Sequence, residues 1–177
     1  MDKLLLHSCC APCSSAIVEE LYKHFDLTLY YYNPCITDKD EYYKRADELK
    51  KFRNKATIII GPHTPNAFFE MAKGMEHFPE GGARCRLCYY QRLNKTAAYA
   101  KQNDFRYFST TLTISPYKDS ATINAIGKQC GWDNDVMYMP FDFGYLYIKS
   151  LQLCKEYNLY QQDYCGCPYS KNNCTQP

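Results

Sequence analysis

His7-Ser8-Cys9-Cys10-Ala11-Pro12-Cys13-Ser14 decides how the rest of the chain is read. Its thiols, Cys9, Cys10 and Cys13, follow the apolar run Leu4-Leu5-Leu6 and precede a helix-like pattern. Pro12 suits a first helical turn, and Ser14 or Ser15 is expected to satisfy free N–H groups there. The thiols therefore sit where a strand hands over to a helix. In an open α/β sheet this is the edge at which ligands bind, and a helix N-terminus favours thiolate over thiol. One such cysteine would read as core, since free Cys is often buried. Three together, with paired cysteines downstream, point to chemistry.

Outward from that stretch the periodicity alternates. Residues 3–8 read as a first strand and 13–25 as a helix, with Ile17, Leu21 and Phe25 on one face. Residues 27–32 read as a second strand ended by Asn33-Pro34, and 38–55 as a charged helix, most simply a solvated face. Residues 57–60 read as a third strand, 65–77 and 86–103 as helices, and 106–109 as a fourth strand. A helix over 119–130, a short strand over 136–139 and a helix over 144–158 complete the pattern. Strands alternating with helices predict an α/β fold: three layers around a mainly parallel sheet of about five strands. The longer connections are expected to gather as cysteine-rich loops at the C-terminal sheet edge.

The chain has 177 residues, 46% of them hydrophobic, and a formal net charge of +2. That length suggests one domain, 1–177, able to bury a sizeable core. No apolar run is long enough for a signal peptide or a membrane span, so a cytoplasmic location is expected. There thiols stay reduced, and eleven cysteines argue for metal or redox chemistry over a disulfide framework. The 18 tyrosines supply core, and also rings of the kind on which nucleic-acid bases stack.

Cys85-Arg86-Leu87-Cys88 is a C-x-x-C pair at a helix start. Alone it is ambiguous among zinc, a thioredoxin-like couple and an iron–sulfur cluster. With the adjacent pair Cys9-Cys10 it makes four thiolates from two loops, a set suited to an iron–sulfur cluster or to zinc. Cys165-Gly166-Cys167 can close a disulfide only if the chain bends, which Gly166 permits. Such a ring would be easily reduced; the alternative is two independent tail thiols. No Gly-rich phosphate loop follows the first strand. Arg84, Arg86, Arg92 and Lys95, with Lys118 and the 44–55 cluster, which includes Arg45, are placed to frame an acidic substrate, with Tyr89 and Tyr90 beside them. Cations interleaved with rings are compatible with loop RNA.

These motifs resemble one family. His7-Ser-Cys-Cys-Ala-Pro-Cys-Ser14, Tyr32-Asn33-Pro34, Glu41-Tyr42-x-x-Arg45, Glu80-Gly-Gly-Ala-Arg-Cys-Arg-Leu-Cys88, Arg92-Leu93, the stretch Ser109 to Lys118 and Gln162-Asp-Tyr-Cys-Gly-Cys167 are similar to those of cobalamin-independent epoxyqueuosine reductases. The resemblance runs from residue 4 to about 170. It implies a HUP- or Rossmann-like fold and an oxidoreductase that converts epoxyqueuosine to queuosine at the tRNA anticodon wobble position. It also implies a [4Fe-4S] cluster, without cobalamin, on Cys9, Cys10, Cys85 and Cys88, with Cys165 and Cys167 as a redox-active pair. One departure is Cys35, where the family usually has Asn.

Several expectations follow. The enzyme takes tRNA carrying epoxyqueuosine and electrons from a low-potential donor of unidentified kind. Cys13 is a fifth thiol beside those four, a candidate to hold a second adjacent metal ion such as iron, to contact substrate, or to replace one of the four ligands. His7, Asp163 and Tyr164 are the candidate proton donors. Arg45, Arg84, Arg86 and Arg92 are expected to hold anticodon-loop phosphates. Residues 160–177 form a cysteine-containing tail packed near the cluster. The rival readings are a zinc- or cluster-stabilised RNA-binding module without catalysis, and a general thiol–disulfide oxidoreductase.

Overall fold

The computed structural model describes residues 1–171. The chain runs β1 (Lys3–His7), α1 (Ala11–Leu21), β2 (Asp26–Tyr31), α2 (Lys39–Glu48), β3 (Thr57–Ile60), α3 (Pro65–Ala72), α4 (Ala83–Gln102), β4 (Tyr107–Thr110), α5 (Ser120–Asn134), β5 (Met137–Tyr138), α6 (Tyr147–Glu156) and α7 (Pro168–Lys171). The strands form one sheet, ordered β3-β2-β1-β4-β5, with every neighbouring pair parallel. A parallel sheet is buried on both faces, which explains the uninterrupted Leu4-Leu5-Leu6, each wholly buried. Leu4 and Leu6 pack into a core shared with α1, α2 and α6. Leu5 faces the other core, where Leu93, Ala97 and Ala100 of α4 meet Phe108, Ile123 and Tyr138.

The strand order reverses at β1. The chain moves outward from β1 to β3, then crosses back to lay β4 on the free side of β1. A crevice opens at such a switch point, beyond the C-terminal ends of the two central strands. Here those ends are His7, followed by the cysteine loop, and Thr110, followed by a 3-10 turn at Thr111–Ile114.

Some boundaries move from their expected places. The charged helix stops at Glu48 and continues only as a 3-10 turn, Leu49–Phe52. The next helix ends at Ala72, not residue 77, because Gly74 turns the chain at φ +79° and Arg84 captures the carbonyls of Met75, Glu76 and Phe78. α4 starts earlier than expected, so Cys85 and Cys88 both lie inside its first turns. At α1 the cap is Cys10, whose Sγ accepts from the Cys13 N–H at 3.4 Å. Ser14 and Ser15 instead donate to the carbonyls of Cys10 and Pro12. No helix among the described residues is long and apolar enough to cross a membrane.

Candidate metal centre at the switch point

The cysteine loop leaves β1 held on three sides. Asn33 Nδ2 donates to the Ser8 carbonyl at 3.0 Å, and Arg92 in turn donates to Asn33 Oδ1 at 3.3 Å. Ser8 Oγ and Ser14 Oγ meet at 2.7 Å. From the β4 side, Thr111 Oγ1 accepts from the Cys9 N–H at 3.1 Å and donates to Cys9 Sγ at 3.3 Å. Thus both strands of the switch point fix Cys9. Adjacent cysteines in a regular strand would face opposite ways. Beyond the end of β1 they need not, and the sulfurs of Cys9, Cys10 and Cys13 all lie within 4.8 Å of one another.

The three share protons unequally. Cys9 is held well below the usual thiol value by hydrogen bonds from Cys10 and Cys13, with Thr111 adding a smaller effect in the same direction. Cys10 is pushed up to about 12: its bond with Cys13 works the other way, but the bond to Cys9 and burial outweigh it. Cys13 rises well above the usual value because it donates to both. Within the group Cys9 is thus favoured as the thiolate over its two neighbours, and a metal ion would displace their protons.

The second group comes from α4 and the Asn33-Pro34 turn. Cys85 Sγ accepts from the Gly81 N–H at 3.3 Å. Cys88 is buried and hydrogen-bonded to Cys35, which lowers Cys35 to about 6 and raises Cys88. Among the described residues, Cys85 and Cys88 do not join the tight trio of Cys9, Cys10 and Cys13. They line a separate narrow cavity of about 20 Å³ with Cys165 and Cys167. A cleft of about 290 Å³ adjoins it, bounded by Cys13, Tyr117, Gln162 and Tyr164. Lys118 and Cys165 belong to both walls. A larger hollow at the opposite sheet edge, lined by Asp26, Arg53 and Thr57, contains no cysteine.

The tail closes this region through Arg45. Its guanidinium donates to the carbonyls of Tyr164 and Cys165, both at 3.3 Å, and its Nε to Glu41 at 2.6 Å. Gly166 has φ +105°, and a Cβ there would lie 2.5 Å from Ile36 Cγ1, so the Cys165–Cys167 bend needs glycine. Residues 172–177 of the expected tail lie outside the described residues.

Two sequence expectations are corrected. Arg45, Arg84 and Arg92 are buried, exposed by 3% or less, and donate to oxygens of the protein itself. They are not surface grips for phosphate; of the expected set, Arg86 is the exposed one. His7 is fully buried between Thr110 Oγ1 at Nδ1 and the Tyr32 carbonyl at Nε2. Burial, with Arg92 nearby, lowers it to about 4, so it stays neutral and sealed from any substrate. Asp163 is exposed and Tyr164 half-buried at the cleft. Sequence reasoning missed Thr111, which no motif marks as a partner of Cys9. It also missed the contact of Cys35 with Cys88, although the Asn33-Pro34 turn directs that residue to the same edge.

The buried cations answer whether an anionic centre suits the site. Burial alone would lower Arg92, but the charges of Cys88 and Cys35 hold it well above its usual value. Arg84 lines the inner cavity, and its Nε is buried with no hydrogen-bond partner among the described residues. A buried donor without a partner is costly. Thiolates with buried guanidinium groups around them fit a negatively charged metal–sulfur group.

Comparison with known proteins now decides the family. A family model described as epoxyqueuosine reductase QueH matches residues 4–173. The chain belongs to the QueH family. It is 40% identical over 177 residues to the epoxyqueuosine reductase QueH of Streptococcus pyogenes serotype M1, covering 94% of this chain and 69% of that protein. Against the QueH of Acinetobacter baylyi the identity is 40% over 175 residues, covering 96% and 80%. The QueH of Thermotoga maritima is 31% identical over 177 residues, covering 96% and 91%. The QueH match thus takes in every thiol group described above.

Proposed function

We propose that this chain reduces epoxyqueuosine to queuosine in tRNA, the epoxide losing its oxygen as water. The observation that carries the reading is the tight trio of β1-loop thiols beside a neighbouring cavity lined by thiols of α4 and the tail, inside a QueH sequence match that spans nearly all of the chain. Cys9 and Cys10 from the β1 loop and Cys85 and Cys88 from α4 hold a [4Fe-4S] cluster. Cys13 is the fifth thiolate, available to a second metal ion. When bound, the cluster supplies electrons one at a time, drawn from a low-potential donor. The chain's own residues do the remainder. Thr111, Gly81 and Arg92 place donors or charge near the sulfurs, which favours their anionic form. Cys165 and Cys167 cycle between dithiol and disulfide as a second electron store, with Asp163 and Tyr164 beside them to move protons.

Residues 1–177 act as one iron–sulfur domain, with the tail from residue 160 as a wall of the site. All ten cysteines among the described residues are free, in keeping with a reducing compartment such as the cytoplasm. Arg86 is the member of the expected arginine set left to meet RNA phosphate.

Anaerobic reconstitution tests this reading. The intact protein should bind iron and sulfide and convert epoxyqueuosine in tRNA to queuosine with a low-potential reductant and no added cobalamin. Cys→Ser at position 9, 10, 85 or 88 should each lower the iron count. A colourless protein holding zinc and making no queuosine would favour the RNA-binding module, and full iron in one variant would remove that residue from the set.

A further inference from the structure

The cleft beside the thiol cavity contains two polar groups that no described residue pairs with. Lys118 lies in the loop between the 3-10 turn after β4 and α5, half-buried, on the wall that the cleft shares with the inner cavity. Among the described residues its ammonium makes no hydrogen bond or ion pair. Burial works against its charge, and the neighbouring Cys165 favours it. Gln162 lines the same cleft from the tail, and its Oε1 is buried without a partner among the described residues. A protein does not ordinarily leave a buried acceptor unpaired, and a cleft with both a free cation and a free acceptor is shaped for a polar guest.

We propose that this cleft holds the epoxide-bearing ring of the modified nucleoside, with Lys118 facing the epoxide oxygen as a catalytic cation and Gln162 Oε1 accepting from a hydroxyl or amine of the same substrate. The assignment rests on the reductase reading above. Its chemistry follows from the bonds broken. Cleavage of the first epoxide C–O bond puts negative charge on oxygen, and an ammonium in place before the reaction stabilises that charge without reorganising. Lys118 then gives the alkoxide a proton. The transfer is downhill, because an alkoxide binds a proton more tightly than an amine does. Cleavage of the second C–O bond releases the oxygen as water with a second proton from solvent, which also reprotonates Lys118. Two electrons from an external one-electron donor of low potential are left in the carbon–carbon double bond. His7, sealed beneath the sheet, has no access to this oxygen. Cys165, on the wall shared by both spaces, separates the ring from the thiols of α4.

The test uses cluster-loaded full-length protein and tRNA carrying epoxyqueuosine, with iron content, tRNA affinity and single-turnover rate measured separately. Lys118→Met should lower the single-turnover rate at least about 100-fold, with iron content and tRNA affinity within about twofold of wild type. Lys118→Arg, which keeps the cation, should recover roughly tenfold of that loss. Gln162→Leu should weaken substrate binding roughly three- to tenfold. A Lys118→Met protein that keeps its rate, or loses rate only in proportion to lost iron, overturns the assignment. So does a Lys118→Arg protein no better than Lys118→Met, or a Gln162→Leu protein with unchanged substrate affinity. Absence of queuosine from wild type itself would strike the reductase reading, a separate failure.

Discussion

Arg45 donates to carbonyls of residues 120 and 119 positions further along the chain, and no sequence pattern announces such a partner. A charged residue read from sequence belongs on the surface by default, because few charges are fully buried without partners. Burial of Arg45 depends on carbonyls, and that of Arg92 on the Asn33 side chain, brought in by distant segments, while Arg84 is wrapped by carbonyls of an irregular turn just upstream that no periodicity marks, so the three locations were not legible. The grouping of Cys9, Cys10 and Cys13 was, because it lies in spacing within a few residues. Replacing Arg45 with Met should cost about 1.5–3 kcal/mol of stability and raise hydrogen exchange at residues 164–167. The salt dependence of tRNA binding should stay unchanged, since a buried guanidinium releases no counterion. A reduced slope of log affinity against log salt would return Arg45 to the RNA surface. His7 illustrates the same limit. Its place beside the reactive loop suggested proton transfer, while its hydrogen bonds to Thr110 and the Tyr32 carbonyl make it a strut between β4 and the end of β2.

Among the elements, strands were read almost to the residue because Leu4-Leu5-Leu6 and Ile58-Ile59-Ile60 are continuous apolar runs between turn signals. Helix ends were read less well. α3 and α4 are bounded by a loop whose carbonyls belong to Arg84, and the cap of α1 is a cysteine, a residue that capping rules do not rank. The fit of α5 to β5 is also non-local. Gly127 lies against the ring of Tyr138, so close that an added Cβ would come within 2.2 Å of it. Gly127→Ala should therefore destabilise the protein by about 1–3 kcal/mol, measured as a lower denaturant midpoint. A Gly127→Ala, Tyr138→Leu double variant should recover part of that loss; an unaltered midpoint in the single variant would show that the ring moves aside freely.

Across the whole molecule, six of the 18 tyrosines are buried in the core. Tyr30, Tyr31, Tyr42 and Tyr138 are all buried, and burial is the leading cause that raises each phenol above its usual 10. Tyr30, for example, is pushed up to about 12. The folded state thus keeps protons that the unfolded chain releases above pH 10. Stability from these groups is fully present below that pH and is lost as pH rises through the folded values. Denaturant midpoints should fall steeply between about pH 10 and 12, and Tyr30→Phe should soften the fall; a midpoint flat across that range would contradict the burial of these rings. The order of the chain adds a consequence of its own. β5 completes the sheet at Tyr138, whereas Arg45 must wait for the carbonyls of Tyr164 and Cys165 before the wall beside the thiols can close. During synthesis the β1 loop and α4 emerge from the ribosome well ahead of that wall. Until residue 167 has cleared the exit tunnel, the nascent thiol site stands open on one side.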